Sequence, residues 1–205
     1  NAILYGGGLM NVINNRRSIR KYKNIPVNQD DLHTILQAGL LAPSAKHRQP
    51  WKYYVYTGKA KEEILSCMEH GLHREEGEEA VLPTFRYCLP DAFNTLRIMN
   101  EAPVLIMIEN TNGSSPYEPI DVAQRITEIS DSLAIGASVE NILLAATDLG
   151  YGTLWIANTC FAYPELVDYM NLNGQLVGAI ALGVPDAVPY QKQCKPFDMV
   201  VEFKD

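Results

Sequence analysis

The stretch "LAPSAKHRQPWKYYV", residues 41–55, marks the change from a helix to a strand. Asn28, placed before an acidic first turn, predicts where the helix begins, and Pro43 predicts where it ends. Four apolar residues at helical spacing would form its buried face: Leu32, Ile35, Leu36 and Leu40. Residues 51–57, "WKYYVYT", are aromatic and β-branched, which predicts a strand. The chain therefore mixes helices with strands.

The remainder of the chain continues this mixture. Residues 104–108 are apolar without alternation, as in a strand that is covered on both faces. The Ala-rich residues 131–150 predict a long buried helix with Gly150 at its C-terminal cap. The other predicted elements are a short helix at 163–170, with Pro164 in its first turn, and strands at 153–157, 175–183 and 199–203. The last strand would seal a sheet edge, in this chain or in another subunit.

Nothing in the composition divides the chain, which predicts one α+β domain over residues 1–205. Within that domain, residues 59–100 combine charged helical pieces with turns and form a candidate lid. The fractions of hydrophobic residues, 47%, and charged residues, 20%, are ordinary for a globular protein. The opening "NAILYGGGLM" is too weakly apolar for a secretory signal and receives no weight in the fold.

The charge balance limits the classes of partner. Asp and Glu number 24 against 17 Lys and Arg, giving a formal net charge of -7, which argues against bulk affinity for nucleic acid. No apolar run approaches the roughly 18 residues of a membrane span. The four cysteines are widely separated and lack metal-ligand spacing: Cys67, Cys88, Cys160 and Cys194. We expect reduced thiols and a cytoplasmic protein without a membrane or nucleic-acid partner.

One short segment contrasts with the acidic balance: "RRSIRKY", residues 16–22, holds four cations in seven positions. In an extended chain Arg16, Ser18 and Arg20 fall on one side, and Arg17, Ile19 and Lys21 on the other. Two guanidinium groups with a hydroxyl between them could bind phosphate oxygens. A solvated basic patch would have the same composition, so this segment alone leaves both interpretations open.

A resemblance to a known family arises from two motifs together. R-R-S-x-R, followed about 25 residues later by A-P-S-A-x-x-x-Q-P-W, resembles the FMN-dependent nitroreductase family. The later segments "EAPV", "LGYGTLW" and "ALGVPD" follow the same order. The resemblance implies an α+β nitroreductase-like fold, with a central, mostly antiparallel sheet flanked by helices. It also implies an intertwined homodimer that binds FMN noncovalently at the subunit interface.

The resemblance assigns flavin contacts to the two early motifs. The ribityl phosphate and the pyrimidine end of FMN would be held by Arg16, Arg17, Ser18 and Arg20. The partner subunit would supply three small residues near the isoalloxazine ring: Pro43, Ser44 and Ala45. His47 stands where the family usually has Asn, and it could still donate a hydrogen bond.

Three further segments complete the site that the resemblance implies. "NTLRIMNEAPV" points to Asn94 and to Arg97, a cation near the N1 and O2 edge that would stabilise anionic reduced flavin. Arg97 could equally be an exposed helical cation without a function. "GYGTLWIAN" resembles the loop beside flavin N5 and O4, with contacts from Trp155, Ile156 and Ala157. Trp155 on a strand is also typical of a plain core aromatic.

The C-terminal part of the resemblance concerns the phosphate. Lys192 and Lys195 occupy positions of basic phosphate ligands in the family, and Cys194 replaces one expected Arg.

Other chemistries have weaker support. His70 and His73 lack a carboxylate or cysteine partner pattern for zinc, and no Walker A, G-x-S-x-G or G-x-G-x-x-G motif is present. We expect no metal and no protein nucleophile, since the flavin would carry the redox step.

The residues and the resemblance together predict an FMN-dependent oxidoreductase. It would accept hydride from NADH or NADPH and reduce a flat small-molecule acceptor, such as a nitroaromatic, a quinone or an activated alkene, by a ping-pong mechanism. The alternative is a flavin-binding storage, sensing or partner module without efficient turnover, suggested by His47 and Cys194. A specialised branch that performs reductive dehalogenation or flavin fragmentation is a third interpretation. The sequence specifies neither the acceptor nor the preferred nicotinamide.

Overall fold

The centre of the fold is a four-stranded antiparallel sheet, in a computed structural model that describes residues 8–204. In chain order the strands are β1 (Trp51–Tyr56), β2 (Val104–Asn110), β3 (Gly152–Ile156) and β4 (Gln175–Gly183). They lie side by side in the order β1-β2-β4-β3, so that β1 and β3 form the edges. All four correspond to strands predicted from the sequence, within one or two residues at their ends.

Helices cover both faces of this sheet. The helices are α1 (Leu9–Asn15), α2 (Gln29–Leu40), α3 (Gly58–Glu76), α4 (Leu89–Glu101), α5 (Val122–Asp148) and α6 (Tyr163–Met170). Helices α2 and α5 pack on one face, and α3, α4 and α6 pack on the other. Short 3-10 turns lie at Ala45–His47, Pro83–Cys88, Asn158–Ala162 and Phe197–Met199. The predicted α+β class, with helices flanking a mostly antiparallel sheet, is confirmed.

Strand β2 explains how one sheet supports two cores. All of its residues are buried. Leu105 and Met107 point into the core beneath α3, α4 and α6, whereas Ile106 and Ile108 point into the core beneath α2 and α5. Successive side chains of a strand face opposite sides, so a strand covered on both sides needs apolar residues at every position. The continuous apolar run in the sequence has this cause.

Helix α2 begins as predicted, because Asn28 Oδ1 accepts hydrogen bonds from the amides of Asp30 at 2.8 Å and Asp31 at 3.2 Å. The prediction that Leu40 belongs to its buried face is wrong: this side chain is 51% exposed. Gly39 faces α5 instead, and a Cβ on it would come within 2.8 Å of Ile142. The close helix contact at this glycine turns the next residue outward.

Helix α5 begins at Val122, nine residues before its predicted start at 131. Its N-terminus is a capping box in which the Asp121 carboxylate accepts from the Gln124 amide at 2.8 Å. The helix is long and apolar enough to cross a membrane by length and composition alone, contrary to the sequence prediction, although 44% of its most apolar stretch is buried inside the protein. A core helix of a folded protein passes the same test.

The C-terminal segment differs from its prediction as well. The strand predicted at 199–203 is wrong for the described residues, because a 3-10 turn at Phe197–Met199 leads into irregular chain up to residue 204. No strand of the described chain pairs with it, and Phe203 is 79% exposed. At the other end, the first seven residues of the quoted "NAILYGGGLM" lie outside the described residues.

Candidate functional site

The cation-rich segment is fixed in an extended form beside strand β3. Ser18 pairs with Thr153, and the Ile19 amide donates to the Thr153 carbonyl oxygen at 2.8 Å. The Ile19 side chain is only 3% exposed and packs closely over Gly152. Burial raises the pKa of Tyr22 far above its ordinary range, so its hydroxyl remains a donor to the Ile19 carbonyl at 3.0 Å. The apolar residue between the arginines is therefore the anchor of the segment.

The anchored segment forms one wall of a cavity of about 470 Å³. The C-terminal segment also lines it, through residues 189–192 and Cys194. Four of the lining side chains are cations: Arg16, Arg17, Arg20 and Lys192. Among the residues that the structure describes, no acidic side chain lines this cavity. We call it the cation cavity; it concentrates positive charge on a protein whose formal net charge is -7.

The arginines of the cation cavity differ in their partners. Arg16 Nε lies 3.3 Å from Glu140 of α5, a half-exposed pair that is weakened by solvent. The Arg17 guanidinium donates to the Asn14 carbonyl at 2.7 Å and to Gln191 Oε1 at 3.1 Å. Its long side chain thus reaches the same cavity as Arg16, although simple alternation placed the two residues on opposite sides. Arg20 Nη1 donates only to the Ser18 carbonyl, at 3.2 Å, among the described residues.

A second cavity, of about 170 Å³, adjoins the first at Arg20. It contains four further residues that the sequence analysis selected: Asn94, Trp155, Ile156 and Ala157. Trp155 is 46% exposed, which contradicts its interpretation as a plain core aromatic. We call this space the strand-end cavity, since β3 ends in its wall.

Sequence reasoning missed three polar residues of the strand-end cavity: Asp91, Thr95 and Asn158. The Asn158 amide nitrogen donates to Asp91 Oδ2 and to Thr95 Oγ1, both at 2.9 Å. These bonds join the first turns of α4 to the 3-10 turn that follows β3. The only available signal was Asn158 directly after the "LWIA" strand, because the polar partners lie over 60 residues earlier in the chain.

Outside the loop after α2, two predicted residues, Arg97 and Lys195, are not brought into either cavity. Arg97 points to a separate groove of about 430 Å³ between α3 and α4, and it hydrogen-bonds Asn94 Oδ1 at 3.0 Å. It also forms an ion pair with Glu101. Lys195 is exposed and lines neither cavity, while Cys194 lines the cation cavity. The assignment of Arg97 and Lys195 to FMN stays a prediction.

The loop after α2 lies apart from both cavities of its own chain. Pro43, Ala45 and His47 are exposed, and Ser44 is half-buried. The Ser44 hydroxyl accepts from the Gln49 amide at 3.0 Å, closing the loop on itself. None of residues 43–47 lines either cavity within the described chain. This position agrees with an expected contribution from the partner subunit, which stays a prediction.

The sequence analysis also missed a buried ion pair beside this loop. Arg48 Nη2 lies 2.6 Å from Asp131 of α5, whose side chain is 1% exposed. A second hydrogen bond joins Arg48 Nε to the same oxygen at 3.0 Å.

No group of three His, Cys, Asp or Glu side chains within residues 8–204 is arranged to hold a metal ion.

The sequence model of the nitroreductase family matches residues 13–184, which include the cation segment, the loop after α2 and strands β1 to β4. The chain belongs to the nitroreductase family. An Archaeoglobus fulgidus relative, provisionally named an NADH dehydrogenase or NAD(P)H nitroreductase, is 30% identical over 147 residues, 72% of this chain and 66% of that protein. This family member thus spans just under two thirds of that relative's length.

Solved structures agree with membership of the nitroreductase family. A BluB-like flavoprotein from Clostridium difficile 630 aligns over 98% of this chain and 100% of its own, with 25% identity and a TM-score of 0.77. A nitroreductase with bound FMN from Bacteroides fragilis NCTC 9343 covers the same shares, with 23% identity and a TM-score of 0.70. The nitroreductase-like fold expected from the sequence motifs is confirmed.

Proposed function

We propose that this chain is an FMN-dependent oxidoreductase that oxidises NADH or NADPH and reduces a flat acceptor such as a nitroaromatic or a quinone, in two alternating half-reactions. The observation that carries the proposal is the meeting of the two cavities at Arg20. One cavity is rich in cations, and the other combines aromatic, apolar and amide groups. A phosphate joined to a flat heterocycle needs these two environments side by side.

The donor chemistry of the cation cavity fits the phosphate end of FMN. Arg16 and Arg20 are suited to two-point hydrogen bonds with phosphate oxygens, and Lys192 adds a point charge from the C-terminal segment. Ser18 adds a hydroxyl donor on the same wall. These groups would bind and orient the cofactor, and when bound FMN supplies the centre that takes up hydride and passes it on.

The strand-end cavity fits the ring end. Ile156 and the exposed indole of Trp155 offer apolar surface, while Asn94 offers an amide that can pair with the polar edge of a heterocycle. The fixed Asn158 amide holds Asp91 and Thr95 in one wall of the cavity. These side chains would orient the ring and exclude water from part of its surface.

A homodimer follows as part of the proposal. Helix α5 exposes an apolar stripe at four positions of one face, with 54–77% of each residue accessible: Val122, Ile126, Ile129 and Leu133. The C-terminal segment from 187 to 204 is exposed throughout and carries apolar residues such as Phe203. A second copy would cover both surfaces and bring its own residues 43–47 to the FMN site.

We also propose that residues 1–205 form one domain and that the protein is cytoplasmic. The segment 59–100, predicted as a candidate lid, contributes Asp91, Asn94 and Thr95 of α4 to the strand-end cavity. This supports a role for its second half as a wall of the site.

The visible spectrum of the purified protein tests the proposal. After incubation with FMN and gel filtration, the protein should retain flavin absorbance. Under anaerobic conditions NADH or NADPH should bleach that absorbance, and a nitroaromatic or a quinone should restore it. A protein that retains no FMN would overturn the proposal. Retained flavin that neither nicotinamide bleaches would instead favour a storage or sensing protein.

A further inference from the structure

The loop after α2 adopts a backbone that residues with a side chain rarely use. Lys46 has φ 54°, His47 has φ 55° and Gln49 has φ 49°. The left-handed region is unfavourable for any residue that carries a Cβ, and such conformations persist only where the surrounding structure holds them in place. The sequence offers no glycine between residues 40 and 57 that could adopt them more easily.

Arg48 lies between two of these left-handed residues and is the loop's tie to the core. Its Nε and Nη2 atoms donate to the same oxygen of Asp131, at 3.0 Å and 2.6 Å. Nη2 also donates to Ser130 Oγ at 3.3 Å. The other carboxylate oxygen of Asp131 accepts from Asn112 Nδ2 at 3.2 Å. One buried carboxylate thus connects the loop with α5 and with the turn after β2.

The burial of Asp131 makes its contact with Arg48 costly to break. The Asp131 side chain is 1% exposed and that of Arg48 is 28% exposed. A buried carboxylate that loses its cation is left uncompensated, so Arg48 cannot leave Asp131 without a large cost. Arg48 thereby fixes the loop to α5 at a point between two left-handed residues, His47 and Gln49.

The loop itself is exposed and is not part of the site of its own chain. Asp131, which holds it, lies on the buried side of α5, opposite the exposed residues Ile129 and Leu133. Pro43, Ala45 and His47 are exposed beside this helix and remain outside the cavities of their own chain. The Arg48 contact therefore shapes an exposed loop that the cavities of its own subunit do not use.

We propose that Arg48 and Asp131 are positioning residues that hold residues 43–47 in the shape with which they complete the FMN site of the partner subunit. This inference rests on the proposed function and extends it to a pair of residues that do not touch the cofactor. It predicts that a change at Arg48 weakens FMN binding in the other subunit.

A second ion pair, between Arg74 and Glu165, serves as the control that distinguishes a positioning role of Arg48 from a general effect on stability. Arg74 is half-buried and donates to Glu165 at 2.6 Å and 3.2 Å and to the Phe161 carbonyl at 3.0 Å. It lies on the other face of the sheet, among α3 and α6. Its loss should destabilise the protein without altering the loop after α2.

The first test measures stability and FMN affinity in the same variants. Arg48→Met and Arg74→Met should both lower the thermal midpoint of the FMN-free protein. Only Arg48→Met should also weaken FMN binding, tenfold or more by fluorescence titration. Arg48→Lys keeps a charge beside Asp131 but cannot bond through two nitrogens, and it should show a smaller loss in the same direction. Equal FMN affinity in the Arg48→Met and Arg74→Met proteins would overturn the proposal.

The second test asks in which subunit Arg48 acts. Mixed dimers are prepared from an Arg48→Met subunit and an Arg20→Ala subunit that carry different affinity tags. If Arg48 acts on the partner's site, one site combines an intact cation segment with an intact loop, and each mixed dimer binds one FMN tightly. If no tight site returns, the loop acts within its own chain and the proposal fails. Should Arg48→Met not fold, Arg48→Lys takes its place.

These outcomes are distinct from a failure of the proposed function. In that case the unmodified protein itself would bind no FMN. A parent that binds FMN while the mixed dimers do not recover a tight site would retain the proposed function and reject the positioning role.

Discussion

Arg20 is the residue at which the two cavities meet, and its guanidinium has no acidic partner among the described residues. A hydrogen bond to a charged group contributes about 1.5–3 kcal/mol, and about 1.4 kcal/mol corresponds to a tenfold change in affinity. We therefore expect Arg20→Ala to weaken FMN binding at least tenfold. Fluorescence titration of the FMN-free protein measures this change.

Lys21 is the control for Arg20, because it is the next residue along, is exposed and lines neither cavity. Lys21→Ala should change FMN affinity by less than twofold. Equal losses in the two variants would mean that residues 16–22 act only as a diffuse basic patch, the simpler interpretation that the sequence left open.

At the residue scale, motifs pointed to the charged residues that line the cation cavity but not to the buried pair beside the loop after α2. Arg16, Ser18 and Arg20 could be selected because charge and alternation are visible in a short segment. The Arg48 and Asp131 pair was missed because its members lie 83 positions apart and neither belongs to a local pattern. Such pairs become visible only when the packing of the loop against α5 is known.

At the scale of elements, Gly152 links strand β3 to the cation segment. A Cβ at this position would lie 2.5 Å from Ile19 Cγ1, and Ile19 anchors the arginines. Overpacking of a core contact costs about 1–3 kcal/mol. We expect Gly152→Ala to lower the free energy of unfolding by this amount and to weaken FMN binding as well. Chemical denaturation and flavin titration measure the two effects.

Gly71 provides the matched control, since a Cβ there would lie 2.4 Å from Ala162 Cβ, away from both cavities. Gly71→Ala should destabilise the fold to a similar degree with FMN affinity unchanged. A Gly152→Ala protein with the affinity of the parent would show that the segment tolerates displacement of Ile19.

The contact between α3 and α6 predicts an acid dependence of stability. Burial raises the pKa of Glu165, but its hydrogen bonds and charge interaction with Arg74 outweigh burial and hold the pKa below its usual value. The unfolded chain then binds more protons than the folded protein, so this contribution is present above about pH 4.3 and is lost as the pH falls through the lower folded value. Stability should therefore decline on acidification.

Glu165→Gln tests this acid dependence. At pH 7 the variant should be less stable than the parent in urea denaturation, and the difference should shrink below about pH 4.3. Glu69→Gln, at an exposed position of α3, should change stability little at any pH. A difference between parent and Glu165→Gln that does not vary with pH would contradict the role of the ion pair.

The elements themselves were largely readable from the sequence, and the exceptions have physical causes. The strands carry β-branched or continuous apolar runs, and Asn28 and Pro164 mark helix starts. The beginning of α5 was missed because its first two turns are half polar and expose their apolar residues. The C-terminal strand was wrong because an alternating pattern specifies a strand only when a neighbouring strand is available to pair with it.

At the scale of the whole molecule, the stripe of α5 and the C-terminal segment carry apolar residues that their own chain leaves exposed. A single chain could not reveal this from sequence, because helix periodicity predicts an apolar face but does not say whether the face is covered by the same chain or by another. The resemblance to a dimeric family supplied that expectation, and the exposed apolar residues support it.

Ile126 is the residue of this stripe that best tests the dimer. It is 64% exposed in the single chain and lies between Val122 and Ile129 on the same helix face. Burying such a side chain contributes about 1.5–3 kcal/mol, and an unpaired carboxylate in its place would add a desolvation cost. In a dimer with two-fold symmetry the substitution is present in both subunits, so both effects occur twice. We expect Ile126→Glu to sediment as a monomer and to bind FMN at least tenfold more weakly.

Val55→Glu is the control, since Val55 is an exposed apolar residue on the edge strand β1 and does not belong to the α5 stripe. It should leave the sedimentation coefficient and FMN affinity unchanged. An Ile126→Glu protein that remains dimeric would exclude the α5 stripe as the interface. A monomeric variant that binds FMN as tightly as the parent would be more consequential, because it would mean that each subunit holds the cofactor without residues 43–47 of another chain.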